Sequence, residues 1–420
     1  MQHNPAAKNY SSYILGEHYF TESKALFITN TLRSFAEAVM GIYIPIFIYQ
    51  SIHLNPLNIS NEVSRGVINI FLFYGLKSLV ALILLPSVVD LIFGKLNFKG
   101  SIVVGNILLG VGLFSLFLAP NNLALFLPIS IILLSVNSIL YWIPYHTYFI
   151  RKSASSEGRY GKNVGLRVLL SRIASMTGPL IGAMLISFSG FESLFLVGLV
   201  ILLFAGLPLV FSNEEHKHGK HNAKQIFFKY IKNNSLVNDS IAFAAMGVEN
   251  VFFAIMSPLL IFFISSDIAV IGIITSFSMA LSTVLSFKIG KAVDSSGPYL
   301  LHKIGVTLNT TLYVIRAFAS TPSIIYTSDF LDRLNNSFFS IPFLSSMYMH
   351  AKLGKHETDF VIYRTYIIEL AVLIGMVFAV IFIWSFNNWQ YLFLCLACIT
   401  PLTYAINLNR NIIGKGSRID

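Results

Sequence analysis

The chain has 420 residues, 55% of them hydrophobic and only 11% charged, with a mean hydropathy of +0.71. Soluble domains carry roughly 25% charged residues, so charge is too scarce here to cover a water-facing surface, and lipid must be the solvent for most of the chain. A formal net charge of +10 suggests nucleic acid at first sight, but the placement of the basic residues assigns that excess to membrane orientation instead.

A spanning helix needs about 20 mostly apolar residues. The first 26 residues are polar and contain no apolar run, so no cleavable signal peptide is expected. Twelve stretches then qualify as spans: 27–50, 66–90, 101–119, 124–149, 164–187, 192–211, 241–264, 268–289, 300–320, 323–348, 362–384 and 389–409. They predict an all-α polytopic membrane protein. Its expected parts are an N-terminal segment (1–26), a first six-helix bundle (27–211), a linker (212–240), a second six-helix bundle (241–409) and a tail (410–420).

Apart from the first (51–65), the odd-to-even connections are short: "APNN", "SGF", "SSD", "STP" and "FNNW". The even-to-odd connections are longer and basic. Of the 29 Lys and Arg, the side with the short connections holds one, Arg65. The positive-inside rule therefore puts both termini and the long loops in the cytoplasm of a cell (inner) membrane protein. The linker contains "EEHKHGKH", whose His216, His218 and His221 read as part of a solvated charged segment rather than a metal site. Cys395 and Cys398 lie in the apolar run "LFLCLACIT" and read as two free thiols on a lipid-embedded helix. No cofactor is expected.

The halves repeat. Span 1 reads "FAEAVMGIYIPIFIY" and span 7 "GVENVFFAIMSPLLIFF"; in each a Glu (Glu37, Glu249) precedes a Pro (Pro45, Pro258) by eight or nine residues. Spans 4 and 10 end in "YWIPYHTYFIRK" and "FFSIPFLSSMYMHAK", and spans 5 and 11 open with "GLRVLLSRIAS" and "IYRTYIIELAV". Internal symmetry of this kind marks many transporter folds. Two polar turns also correspond, "PSVVDLIFGK" after span 2 and "GKAVDSSG" after span 8.

This pattern resembles the major facilitator superfamily: two pseudo-symmetric six-helix bundles, a cytoplasmic central loop, and a GxxxDxxG-type turn after helix 2, often echoed after helix 8. Gly290, Asp294 and Gly297 fit that turn in the second half; in the first, Pro86 replaces the leading Gly and Gly94 comes one residue late after Asp90. The resemblance implies that Asp90 lies near the start of span 11 and Asp294 near the start of span 5, where Arg364 and Arg167 stand. Two cytoplasmic latches, Asp90–Arg364 and Asp294–Arg167, are the corresponding expectation, beside the plainer reading of helix-capping turns.

Besides Asp90, Glu192, Lys288 and Lys303 toward span ends, twelve charged side chains fall inside spans: Arg33, Glu37, Lys77, Arg167, Arg172, Glu249, Arg316, Asp329, Asp332, Arg333, Arg364 and Glu369. Each costs roughly 2.5–3.5 kcal/mol at a span centre, so many must face protein or an aqueous cavity. In the family fold every third helix is peripheral, and spans 3, 6 and 12 accordingly carry almost no charge; Arg316 on span 9 is the exception and is placed to snorkel or to pair with Asp329 or Asp332. Asp329 and Arg333 have ion-pair spacing on one helix. The candidate substrate or coupling residues are Glu37, Tyr43, Lys77, Asn137, Tyr145, His146, Arg172, Glu249, Asp329, Asp332, Arg333 and Glu369. Permanently paired structural charges are the competing reading for each.

A cavity of mixed sign suits a polar or zwitterionic small molecule, and an acid that changes surroundings during transport can couple a proton. The expectation is a secondary active transporter in the lipid bilayer, with a small-molecule substrate and a coupling proton as partners. Export or flipping of lipids or amphipathic drugs is an alternative on the same fold. A polytopic membrane enzyme is the alternative from another class, but the short outer connections hold no convergent acid or His set, and "HETD" (His356–Asp359) reads as a loop leading into span 11. No Walker A sequence is present, which argues against ATP-driven pumping.

Overall fold

The computed structural model describes residues 22–153, 160–212, 221–265, 267–353 and 356–408; these are helical apart from turns, with no β-strand among them. Span 1 is built from helix Glu22–Met40, a 3-10 turn at Gly41–Tyr43 and helix Ile44–Ser51. Spans 2, 3 and 4 are helices Glu62–Leu91, Asn97–Leu118 and Leu123–Ser153. Span 5 begins with Tyr160–Ser175, and Gly178–Ala205 then carries its far half and most of span 6 through a kink at Gly190. Spans 7 to 11 are Val237–Ser265, Ile268–Ser296, Pro298–Ala317, Pro322–Leu353 and Glu357–Phe386. Span 12 is a short helix, Leu392–Ile399, continued by a 3-10 stretch, Thr400–Leu408.

Among the described residues, seven stretches are long and apolar enough to cross a membrane by themselves. Two of them, Glu62–Leu118 and Val164–Val210, each contain two of the expected spans. Spans 9 and 10 fall outside because their polar residues dilute the apolar run; span 12 falls outside because its helix is short. The helical stretches are thus consistent with twelve spans, of which three need their neighbours to be tolerated in lipid.

Spans 1–6 pack on one another, as do spans 7–12, and the two bundles meet along a seam where span 5 lies against span 8 and span 2 against span 11. Small residues set the closeness of this seam. A Cβ on Gly165 of span 5 would stand 2.9 Å from the Cα of Gly290 on span 8, and one on Gly75 of span 2 would touch the Met376 side chain of span 11. Small residues let membrane helices approach this closely, and the gain is van der Waals contact. Gly290 is the first glycine of the GxxxDxxG turn. Gly297, its last, has φ +77° and ends span 8 one residue before Pro298 starts span 9; an L side chain there is strained.

The described part of the linker forms the helix Ala223–Ile231 on the same face as the starts of spans 7 and 11, capped by Asn222. Phe227 packs on Tyr366 and Tyr230 on Tyr363, with ring centroids 4.9 and 5.5 Å apart. Burial, and then the Asp359 charge, push the Tyr230 phenol up to about 12, so it stays neutral. His221 Nδ1 lies 2.6 Å from Asp359 Oδ1, so this histidine is tied to span 11 rather than freely solvated; His216 and His218 lie outside the described residues. Cys395 and Cys398 are free thiols.

Inside the first bundle, a Cβ on Gly182 would collide with the Val39 carbonyl and the Tyr43 ring, and backbone cannot step aside. Gly182→Ala should therefore cost about 1–3 kcal/mol and lower the unfolding temperature of the detergent-purified protein. Gly94→Ala, where a Cβ meets nothing within 4 Å, should leave it unchanged.

Candidate functional site

A cavity of about 210 Å³ lies on the seam. Span 1 contributes Glu37, Ala38, Gly41 and Ile42, and span 5 contributes Pro179. Span 7 gives Phe253, Ala254, Ser257 and Pro258, span 8 gives Thr275 and Met279, and span 10 gives Arg333. The two prolines seen in the repeat have a local purpose here. Proline cannot donate to the carbonyl four residues back, and those residues, Gly41 for Pro45 and Ala254 for Pro258, are both on the cavity wall. Span 1 breaks into its 3-10 turn at this point, whereas span 7 stays helical through Pro258.

Behind the first-bundle wall sits Arg33. Its Nε donates to Glu37 Oε1 at 2.8 Å, and its Nη1 donates to Asn106 Oδ1 at 3.0 Å and to Asn137 Oδ1 at 3.1 Å. The guanidinium lies 3.6 Å from the centre of the Tyr141 ring. Arg33 is thus fixed by four groups from three helices, and it fixes Glu37 in turn.

Behind the second-bundle wall is a larger cluster. Arg316 Nη1 donates to Asp332 Oδ2 at 2.9 Å, and its Nη2 donates to the Ser328 carbonyl at 3.1 Å and approaches Asp329 Oδ1 at 3.4 Å. Arg333 Nε donates to Asp329 Oδ2 at 2.7 Å, and Ser257 Oγ donates to Asp329 Oδ1 at 2.5 Å. Tyr313 donates its hydroxyl to Glu249 Oε1 at 2.5 Å. Burial of these charges is tolerable because each meets an opposite charge or a hydrogen bond. Arg316 pairs with both aspartates rather than snorkelling, so span 9 is a working part of the cluster.

The bundles touch on both sides of the cavity. On the face that carries the linker, Arg172 Nη1 reaches across to Ser286 Oγ (2.8 Å), Ser337 Oγ (2.5 Å) and the Ser282 carbonyl (3.3 Å). Further out, His146 Nδ1 and the Tyr348 hydroxyl share a 2.8 Å hydrogen bond, and Arg151 Nη2 donates to Thr358 Oγ1 at 3.0 Å. On the opposite face the Tyr49 and Phe263 rings meet edge-on at 4.9 Å, and Ser64 Oγ donates to Asn387 Oδ1 at 2.7 Å.

Of the residues expected at the site, Glu37 and Arg333 line the cavity. Glu249, Asp329, Asp332 and Asn137 stand behind its walls as partners. Tyr43 is fully buried and donates to the Pro179 carbonyl. Tyr145 and His146 belong to a stacked aromatic group near the linker face, and Arg172 belongs to the seam. Lys77 and Glu369 do not line the cavity, and neither makes an ion pair among the described residues. No ion pair joins Asp90, which is exposed, to Arg364 among the described residues. The Asp294–Arg167 expectation falls on a side chain, that of Arg167, outside the described ones. Arg33, Asn106, Ser257, Thr275 and Tyr313 were not expected at the site. The i,i+4 spacing of Arg33 and Glu37 was a usable signal; the others are single polar residues in apolar helices, with no local sign of their partners.

Residues 26–362 match the family model of the Major Facilitator Superfamily. The chain belongs to this superfamily. Solved structures with the same fold include the E. coli fucose:proton symporter FucP in an outward conformation, at 14% identity and TM-score 0.63, covering 94% of this chain and 99% of that one. The nucleoside transporter NupG matches at 14% identity and TM-score 0.61, covering 93% and 99%. A POT family transporter bound to a thioalcohol-conjugated peptide matches at 12% identity and TM-score 0.64, covering 94% and 96%. No curated protein sequence matches the chain.

Removing Arg316 strands the buried Asp332 carboxylate, whereas Asp329 keeps Arg333 and Ser257. Arg316→Met should cost about 3–5 kcal/mol and appear as a large drop in unfolding temperature. The double variant Arg316→Met with Asp332→Asn should recover part of that loss.

Proposed function

We infer that this superfamily member is a secondary active transporter, moving a small polar solute, zwitterions included, by alternating access and coupling that movement to protons. The observation that carries the reading is the seam cavity. Both bundles put an ionised side chain on its wall, and the bundles touch on either side of it. A site lying between two bundles that can rock apart at one face or the other is what alternating access needs. The cavity is smaller than the roughly 300–1,000 Å³ typical of drug-sized ligands, which favours a small solute over a lipid or an amphipathic drug.

The distribution of Lys and Arg supports a cytoplasmic linker face and cytoplasmic termini in a cell membrane. Arg172, His146 and Arg151 then form contacts that close the cytoplasmic side, and Tyr49, Ser64 and Asn387 close the other. The Gly290–Gly165 approach belongs to the cytoplasmic group. Asp90–Arg364 and Asp294–Arg167 are assigned the role of latches that close the cytoplasmic side when the other side is open.

Proton coupling is carried by the acids that border or back the cavity. A carboxyl whose surroundings alternate between cavity water and a buried counter-charge changes its proton affinity. Glu37 is held by one arginine and faces the cavity; Glu249 is held by a phenol. In proteoliposomes with an imposed pH gradient, uptake of a panel of radiolabelled amino acids, hexoses and nucleosides should identify a substrate. At least one of Glu37→Gln, Glu249→Gln, Asp332→Asn and Glu369→Gln should lose gradient-driven uptake while retaining substrate exchange. Undiminished gradient-driven uptake in all four variants would remove proton coupling from the reading.

A further inference from the structure

The two ion pairs beside the cavity have opposite polarity. In span 1 the cation is the buried partner: the Arg33 side chain is 2% exposed and that of Glu37 is 40% exposed. In span 10 the anion is the buried partner: Asp329 is 2% exposed and Arg333 is 12% exposed. Glu37 and Arg333 are also the two residues of these pairs that line the cavity. The first bundle therefore turns the negative end of an ion pair toward the solute space, and the second bundle turns a positive end toward it.

Each of these groups retains bonding capacity. Arg33 donates to Oε1 of Glu37, which leaves Oε2 without a protein donor among the described residues. Arg333 uses Nε and Nη2 on Asp329, which leaves Nη1. A third wall group is uncommitted: the Thr275 hydroxyl is buried, with the residue 1% exposed, and has no hydrogen-bond partner among the described residues. A buried hydroxyl left unmatched is costly, and its residue stands on the cavity wall.

We propose that the cavity binds a small amino acid as its zwitterion, with the ammonium on the free Glu37 oxygen, the carboxylate on Arg333, and the Thr275 hydroxyl as a third point of contact. The assignment rests on reading the cavity as the transport site and adds the substrate class and its orientation. Fixed opposite charges on two bundles require a solute carrying both signs to bring the walls together. A singly charged molecule leaves one wall group facing empty space, and a neutral sugar leaves both. The apolar remainder of the wall, Ile42, Phe253 and Met279, leaves room for a short side chain rather than a second peptide unit.

The test is ligand binding to the full-length purified protein, read by thermal stabilisation and by isothermal titration. The probes are L-alanine and L-serine, with L-alaninamide (cation only) and propionate (anion only) as controls. A zwitterion should bind about tenfold or more tightly than either control, the worth of one lost charge-assisted contact. Glu37→Gln should weaken L-alanine without changing propionate, and Arg333→Gln should weaken it without changing L-alaninamide. Thr275→Val removes a hydroxyl that bonds to nothing, so it should fold at least as stably as the parent while weakening L-alanine about threefold to tenfold. Equal binding of zwitterion and singly charged controls, or no effect of Thr275→Val on L-alanine affinity, would overturn the assignment. Uptake of a hexose or nucleoside with no amino-acid binding would overturn it too and leave the transport reading standing. Amino-acid binding without any uptake would uphold the assignment and sink the transport reading.

Discussion

A charged side chain buried at membrane depth must find a counter-charge or hydrogen-bond partners inside the protein, and that requirement organises this molecule. Water is not available to solvate it and lipid will not. Arg33 and Arg316 therefore sit at the centres of two polar clusters, each holding helices together through groups that a soluble protein would leave at its surface. The clusters explain why spans 9 and 10 can be so polar. Their charges are spent on one another, so the lipid-facing sides remain apolar.

Much of the architecture is legible in the residues because it follows from apolar length and loop charge. Twelve runs, a long central linker and the Glu-to-Pro repeat lead to two related bundles, and the superfamily match agrees. The candidate site was legible only in part. Asp329 and Arg333 announce their pairing by helical spacing, and Arg33 with Glu37 do the same. Asn106, Ser257 and Tyr313 do not, because a lone polar residue in an apolar helix names no partner until the helices are packed. Lys77 and Glu369 show the converse. Both are expected from their depth in the span, and neither is on the wall of this cavity.

The bundles are similar in plan and unlike in detail. Span 1 is interrupted by a 3-10 turn where span 7 runs on through its proline. Glu37 is met by an arginine on its own helix, Glu249 by a tyrosine from span 9. The two halves share a plan, but the charged groups on the cavity wall come from non-equivalent spans, Glu37 on span 1 and Arg333 on span 10. A symmetric protein would offer the same charge twice, and the like charges would repel each other across the solute space.

Arg172 bridges the bundles through two serine hydroxyls and a main-chain carbonyl. All three acceptors are neutral. Parting that contact separates a cation from dipoles and not from an anion, so the work required falls off steeply with distance and gains little from dissolved ions. A latch made this way comes undone over a fraction of an ångström to a few ångströms of travel, with no long electrostatic tether pulling it shut. The contact therefore depends on close fit of donor and acceptors and is nearly indifferent to salt.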